Sequence, residues 1–105
     1  MSHSLLVKEA LRKKEIFKNL DKYLRRVKRV IKSLDENAEV YLFGSVATGE
    51  SLYSSDIDIL VITELEPQVI IEELWKEGIG DPFEVHVYPP EYLPRFRRRA
   101  NLKKL

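Results

Sequence analysis

The first third of the chain has the spacing of apolar residues that is typical of helices. In residues 5–34 the apolar positions fall three and four apart, and lysine and arginine fill most of the opposite face. The pattern is blurred around Arg12, Lys13 and Lys14, so it is compatible with one kinked helix or with two consecutive helices. Residues 1–35 are therefore expected to form a basic helical segment.

The rest of the chain contains three short apolar runs that predict β-strands. They cover residues 38–43, 56–63 and 83–88, and the third alternates between apolar and polar positions. Residues 67–76 predict a helix, because Pro67 suits a first helical turn and the glycines at 78 and 80 suit its end. Residues 91–99 predict another short helix, and residues 100–105 are expected to fray.

This order of elements predicts a small protein of the α/β (α+β) class. Its core would be a mixed sheet of three to four strands with helices packed on one face. A length of 105 residues leaves room for one domain. Within it we expect a helical segment over residues 1–35, a core over 36–94 and a basic tail over 95–105.

Charge changes sign at the same boundaries. The net charge is +7 over residues 1–35, −12 over 36–94 and +6 over 95–105. An acidic middle suits divalent cations, whereas basic ends suit phosphates or an acidic partner. The absence of cysteine excludes a disulfide scaffold and a cysteine-based metal site. Because no apolar run is long enough to span a membrane, we expect a cytoplasmic protein without membrane contact.

The candidate chemistry lies between the first two predicted strands. Asp56 and Asp58 are two residues apart on a strand, which places both carboxylates on one face, roughly 6–7 Å apart. Neighbouring carboxylates repel each other, and a divalent cation between them removes that penalty. Gly44 lets the backbone approach a ligand, and Ser45 can donate its hydroxyl and backbone N–H to a phosphate. Taken separately, an ordinary turn explains Gly44-Ser45 better than a phosphate site does, and a solvated strand end explains the aspartate pair better than a metal site does.

The combination resembles the nucleotidyltransferase superfamily typified by DNA polymerase beta. Ten residues, 46–55, separate Gly44-Ser45 from the Asp-x-Asp pair. The longer string, Gly-Ser-x-Ala-x-Gly followed by Ser-Asp-Ile-Asp, looks like the minimal nucleotidyltransferase (MNT) branch. The resemblance implies the polymerase-beta-like fold. Members of the branch often carry arginine where this chain has Thr48, so one expected phosphate-binding group is missing here.

The resemblance also implies a third metal-binding carboxylate on a neighbouring strand. Glu84 is the candidate, because the apolar residues of the third strand would point into the core and leave Glu84 and His86 on the other face. His86 lies next to the proposed acids and could tune Glu84 or contact a nucleotide, although we favour its interpretation as a polar residue on the exposed face of that strand. Two other acids are the alternatives to Glu84: Asp81 and Glu91.

The activity that the resemblance implies is metal-dependent transfer of a nucleoside monophosphate to a hydroxyl. Asp56, Asp58 and Glu84 would be the catalytic residues and would hold two Mg²⁺ ions, with Mn²⁺ as the alternative ion. Gly44 and Ser45 would bind the triphosphate of ATP or of another nucleoside triphosphate. AMP from ATP is the transferred group that the resemblance favours.

The branch also implies a partner. MNT proteins commonly act with an all-helical HEPN-type protein as a toxin–antitoxin pair, in which AMP is added to a tyrosine of the toxin. The long N-terminal helix and the apolar Leu93 and Phe96 are candidate docking residues. The alternatives are a non-catalytic antitoxin of the same fold and a transferase acting on a small molecule such as an aminoglycoside. Nucleic acid, suggested by the arginines of residues 95–99, is a less favoured partner, and a homo-oligomer stays open.

Overall fold

The computed structural model describes residues 2–44, 56–99 and 101–105. The N-terminal segment forms two helices, α1 (Ser2–Lys18) and α2 (Leu20–Leu34), which meet at Asn19. The Asn19 side-chain amide donates to the backbone carbonyl of Glu15 at 3.0 Å and to its carboxylate at 2.7 Å. Such local side-chain bonds offer the backbone an alternative to a continuous helix. Of the two arrangements compatible with the sequence, two consecutive helices are therefore observed.

Helix α2 is the better packed of the two, because its apolar residues form one continuous stripe. Leu24, Val27, Val30 and Ile31 are buried, whereas most of its lysines and arginines are exposed. In α1 the buried residue near the C-terminal end is Ile16, while Val7 and Leu11 are exposed.

The sheet has the strand order β3-β2-β1-β4. Its strands are β1 (Glu39–Phe43), β2 (Ile57–Ile62), β3 (Phe83–Tyr88) and β4 (Leu102–Lys104). β1 pairs with β2 and β4 in antiparallel fashion, and β2 pairs with β3 in parallel. Helix α3 (Pro67–Lys76) connects the two parallel strands, as such a pairing requires. The predicted mixed sheet of an α+β protein is confirmed.

The expectation that residues 100–105 fray is wrong. Residues 102–104 form β4, which lies beside Tyr41, Leu42 and Phe43 of β1. The backbone N–H of Leu105 also donates to the carbonyl of Val40 at 2.9 Å. The tripeptide Leu-Lys-Lys has too short a pattern to indicate a strand, so its conformation comes from pairing with β1 rather than from local preference.

Different side-chain clusters pack on the two faces of the sheet. One face presents Val40, Ile59 and Val61 to a core cluster that includes residues of α2 and α3. The opposite face holds a smaller cluster of Tyr41, Leu60 and Ile62. The helices therefore lie mainly on one face, as predicted, and one short helix lies on the other.

This short helix is α4 (Leu93–Arg99), which follows a 3₁₀ turn over Pro90–Tyr92. Leu93 and Phe96 of α4 pack against the smaller cluster. Both residues are only partly buried there, so their role as docking residues stays a prediction. In the described ranges, no helix combines the length and the apolar character needed to cross a bilayer.

Candidate active site

The pairing of β2 with β3 aligns two acidic side chains. Asp58 of β2 lies directly opposite Glu84 of β3 in the parallel register. Ile57 and Ile59, the neighbours of Asp58, are fully buried on the core face, so the carboxylate of Asp58 emerges on the other face. The Asp58 side chain is 28% exposed and that of Glu84 is 56% exposed. The sheet thus presents both carboxylates side by side at the surface.

His86 completes this group, two residues further along β3. Its Nε2 atom lies 3.5 Å from Oδ1 of Asp58 and 3.9 Å from Oε1 of Glu84. One potential ligand atom from each of the three side chains lies within 4.8 Å of the others. The ring of His86 meets the ring of Phe43 edge-on, with 5.2 Å between centroids. The sequence predicted the face of His86 and its proximity to Glu84, but it did not predict the contact with Asp58.

The three residues fit a divalent cation. His86 Nε2 is buried and finds no hydrogen-bond partner among the described residues, although two carboxylates lie close to it. A buried polar atom without a partner is unusual, and an unplaced ion is one recognised explanation. Carboxylate oxygens and a neutral imidazole nitrogen are ordinary ligands for dications. The described residues therefore supply a donor set for a metal ion.

Gly44 borders the same group from the end of β1. Its φ is +79°, a conformation that side-chain-bearing residues rarely adopt. A Cβ atom at this position would lie 2.8 Å from Oδ2 of Asp58. The turn therefore favours glycine, and a methyl group at this position would also shift the carboxylate of Asp58. Ser45 and Thr48, on which other predictions rest, lie outside the described residues.

Asp56 does not join the group of Asp58, Glu84 and His86. It lies one residue before β2, whose ladder with β3 begins where the N–H of Ile57 donates to the carbonyl of Pro82 at 2.9 Å. The direction of the Asp56 side chain is therefore not set by the sheet. Its role as a metal ligand stays a prediction.

Instead, Asp56 lines a neighbouring cavity of about 330 Å³. Arg12 and Lys13 of α1 line the same cavity, together with three other residues: Glu9, Asp81 and Pro82. Arg12 and Lys13 therefore lie beside Asp56, the first aspartate of the predicted Asp-x-Asp pair. Asp81, an alternative to Glu84, lies here rather than at the three-residue group, and Glu91 lies exposed in the 3₁₀ turn.

Comparison with known proteins identifies the family. The family model described as a nucleotidyltransferase domain matches residues 24–105. The chain belongs to the nucleotidyltransferase family. The matched range contains the whole sheet, including Asp58, Glu84 and His86, and leaves out α1.

Two relatives extend the comparison. The "inactive non-canonical poly(A) RNA polymerase protein Trf4-2" of Drosophila melanogaster is 37% identical over 75 residues, which are 68% of this chain and 18% of that protein. The chain thus spans about a fifth of the length of this curated relative. A solved structure described as a "putative nucleotidyltransferase" aligns with a TM-score of 0.62 at 25% identity and covers 78% of this chain and 96% of its own. The nucleotidyltransferase domain of this chain thus shares its fold with that solved structure.

Proposed function

We propose that the chain is a divalent-metal-dependent nucleotidyltransferase that transfers AMP from ATP to a hydroxyl. The observation that carries this proposal is the parallel register of β2 and β3, which sets Asp58 beside Glu84 on an accessible face. Within a family of nucleotidyltransferases, adjacent carboxylates next to a glycine turn are the equipment that the reaction needs. The minimal (MNT) branch is consistent with the size of the chain.

In this proposal Asp58, Glu84 and Asp56 hold two Mg²⁺ ions, or Mn²⁺ ions in their place. The metal would neutralise charge on the phosphates and on the departing pyrophosphate. Glu84 is more exposed than Asp58 and His86, so among these three residues it is the one placed to accept the proton of an incoming hydroxyl. Gly44 and Ser45 would bind phosphate oxygens. Positioning and charge stabilisation would provide most of the rate.

The cavity beside Asp56 supports a place for the triphosphate. Its volume of about 330 Å³ falls at the lower end of small-molecule sites. Arg12 and Lys13 provide positive charge there, which can pair with phosphate oxygens. They would supply from α1 a contribution that the branch often takes from an arginine at the position of Thr48.

The acceptor in this proposal is a tyrosine of a HEPN-type helical toxin, which makes the chain the antitoxin of a pair. An exposed apolar surface on α1 supports a protein partner, since Val7 is 56% exposed and Leu11 is 61% exposed. Helical partners commonly bind through apolar residues at such i, i+4 spacing.

A second candidate is a non-catalytic antitoxin that neutralises the same partner by binding alone. It is favoured by the position of Asp56 outside the three-residue group. The description of the Drosophila relative as inactive is a further reason to test it. In that case the fold and the α1 surface would carry the function without transfer.

The test is transfer of label from α-labelled ATP, with Mg²⁺, to the protein encoded by the neighbouring reading frame, which this proposal expects to be of the HEPN type. We expect labelling that disappears in Asp58→Asn, because the central carboxylate loses its charge. Glu91→Gln is the matched control, since it makes the same chemical change at an exposed acid outside the group. A stable complex without any labelling would overturn the catalytic proposal and support the second candidate.

A further inference from the structure

We propose that His86 Nε2 is a metal ligand of this site and makes it select first-row transition dications, such as Mn²⁺, over Mg²⁺. The inference takes the location of the metal site from the proposed function. It concerns which ion the site binds and does not require that the chain transfers nucleotides.

The positions of the atoms support direct ligation. His86 Nε2 lies 3.5 Å from the Asp58 carboxylate and 3.9 Å from that of Glu84, and it forms no hydrogen bond to either. These distances are longer than ordinary hydrogen bonds. They fall between the separation of adjacent ligand atoms, about 3 Å, and that of opposite ligand atoms, about 4 Å, around an octahedral ion with bonds of about 2.1 Å. All three ligand atoms fall within 4.8 Å of one another.

The surroundings of the imidazole hold it in place. The edge of the His86 ring packs against the ring of Phe43, which itself packs against Phe96 of α4 at 6.2 Å between centroids. The Nε2 atom is buried although the side chain as a whole is 32% exposed. The nitrogen is therefore directed at the carboxylates and away from solvent, as a ligand would be.

The chemistry of the donor set determines which ions it prefers. Mg²⁺ is a hard ion that favours oxygen ligands and retains water, so an imidazole adds little to its binding. Transition dications accept imidazole readily, and Mn²⁺ is the weakest binder of the first-row series. Because Mn²⁺ gains least from the imidazole, a preference for Mn²⁺ over Mg²⁺ is the strictest test of this selectivity. Co²⁺, Ni²⁺ and Cu²⁺, which follow Mn²⁺ in the series, should be preferred over Mg²⁺ more strongly.

The experiment is pulsed electron paramagnetic resonance of Mn²⁺ bound to the nucleotide-free protein, with any purification tag removed. The chain contains two histidines, His3 and His86. In His3→Gln, a ¹⁴N modulation from a directly bound imidazole can therefore come from His86 alone. We expect this signal in the wild-type protein and in His3→Gln. Its absence from folded His3→Gln with Mn²⁺ bound would overturn the proposal.

Affinities test the selectivity. His86→Gln should lose the ¹⁴N signal and bind Mn²⁺ roughly 10–100-fold more weakly, the range typical when the support of a metal site is damaged. Its Mg²⁺ affinity, measured by competition, should change far less. His86→Asp, which keeps a ligand but replaces nitrogen with oxygen, should bind both ions with reduced discrimination. Equal losses for Mn²⁺ and Mg²⁺ in His86→Gln would contradict the proposed selectivity.

These readouts are separate from nucleotide transfer. A positive ¹⁴N signal in a protein that labels no acceptor would leave the ligand assignment standing and remove the proposed function. Nucleotide transfer by a protein that shows no ¹⁴N signal would support the proposed function and remove the assignment of His86 as a ligand.

Discussion

At the scale of single residues, Gly44 is the position where the backbone and the candidate site constrain each other. Its φ of +79° and the 2.8 Å separation between a built Cβ and Oδ2 of Asp58 are two independent restrictions. Gly78 shares the left-handed backbone, with φ of +81°, but a Cβ there would meet no atom of the described residues within 4 Å. The two glycines thus form a natural comparison between backbone strain and crowding of a carboxylate.

We predict that Gly44→Ala and Gly78→Ala each lower the free energy of unfolding by about 1–2 kcal/mol, the cost of a left-handed conformation. Only Gly44→Ala should also weaken metal binding, by about tenfold, because the methyl group displaces the Asp58 carboxylate. Urea denaturation and metal titration of both variants measure the two effects. Equal metal affinities in the two variants would show that the contact with Asp58 is unimportant.

Tyr41 gives a second prediction at this scale. Its hydroxyl donates to Glu39, and Arg97 Nη2 lies 3.5 Å from the phenolic oxygen. Burial, followed by the hydrogen bond to Glu39, raises the pKa of Tyr41 above 10.0. The unfolded chain then loses this proton before the folded one, so stability is complete below pH 10 and falls as the pH rises beyond it.

We therefore expect an absorbance titration of Tyr41→Phe to lack one phenol ionisation that the wild-type protein shows above pH 10.0. The free energy of unfolding of this variant should also decline less steeply above about pH 10 than that of the wild-type protein. Tyr92→Phe, which removes a phenol at an exposed position, is the matched control and should keep the ionisation of Tyr41. A Tyr41→Phe titration that matches that of the wild-type protein above this pH would argue against the burial described here.

Sequence alternation was sufficient to place Glu84 and His86 opposite the core, because neighbouring residues of a strand point in opposite directions. It could not show that His86 would meet Asp58, since that contact depends on the register between two strands. Asp56 illustrates the other limit. The two-residue spacing sets a common face only inside a strand, and β2 begins one residue later.

At the scale of elements, β4 is the part that local reasoning could not find. Three residues of mixed polarity form no recognisable pattern, yet they cover the edge of β1, whose Tyr41 and Leu42 are buried. The longer elements were predicted closely, because periodic apolar positions and proline or glycine boundaries specify them locally. β4 depends on a partner strand that lies far away in the sequence.

Deleting residues 100–105 should therefore destabilise the protein. The partly buried Leu102 and Leu105 would be lost, at a cost of about 2–3 kcal/mol for apolar burial. The uncovered edge of β1 should also promote association between chains. Urea denaturation and light scattering measure these effects, and Lys103→Ala, which keeps the backbone pairing, should resemble the wild-type protein. A truncated chain with an unchanged urea midpoint would mean that β4 contributes little.

At the scale of the whole molecule, the basic first helix and the acidic middle meet at the cavity beside Asp56. Arg12 and Lys13 lie in the part of the sequence where helical periodicity is blurred, more than forty residues before Asp56. The sequence predicted the separation of charge along the chain. It did not predict which cations would lie beside which acids, because tertiary packing decides that.

We predict that Arg12→Ala weakens binding of the ATP–metal complex about fivefold, as expected for loss of about 1 kcal/mol from a partly exposed charge pair. The loss should diminish at high ionic strength, since such pairs are screened. Lys28→Ala, an exposed cation of α2 remote from the cavity, is the matched control. Equal affinities in the two variants would show that Arg12 of α1 does not contribute to nucleotide binding.

The parallel pairing of β2 with β3 has a consequence for how this chain can vary. In the hexapeptide Ile57–Ile62, odd-numbered residues face the helices, and Asp58 faces the candidate site. Leu60 and Ile62 share the face of Asp58 but are buried under α4. Mutations at 57, 59 and 61 therefore act on the packing against the helices, whereas Asp58 is the polar position of the strand. A homologue that exchanged this aspartate for an apolar residue could keep both layers of packing and lose the candidate site.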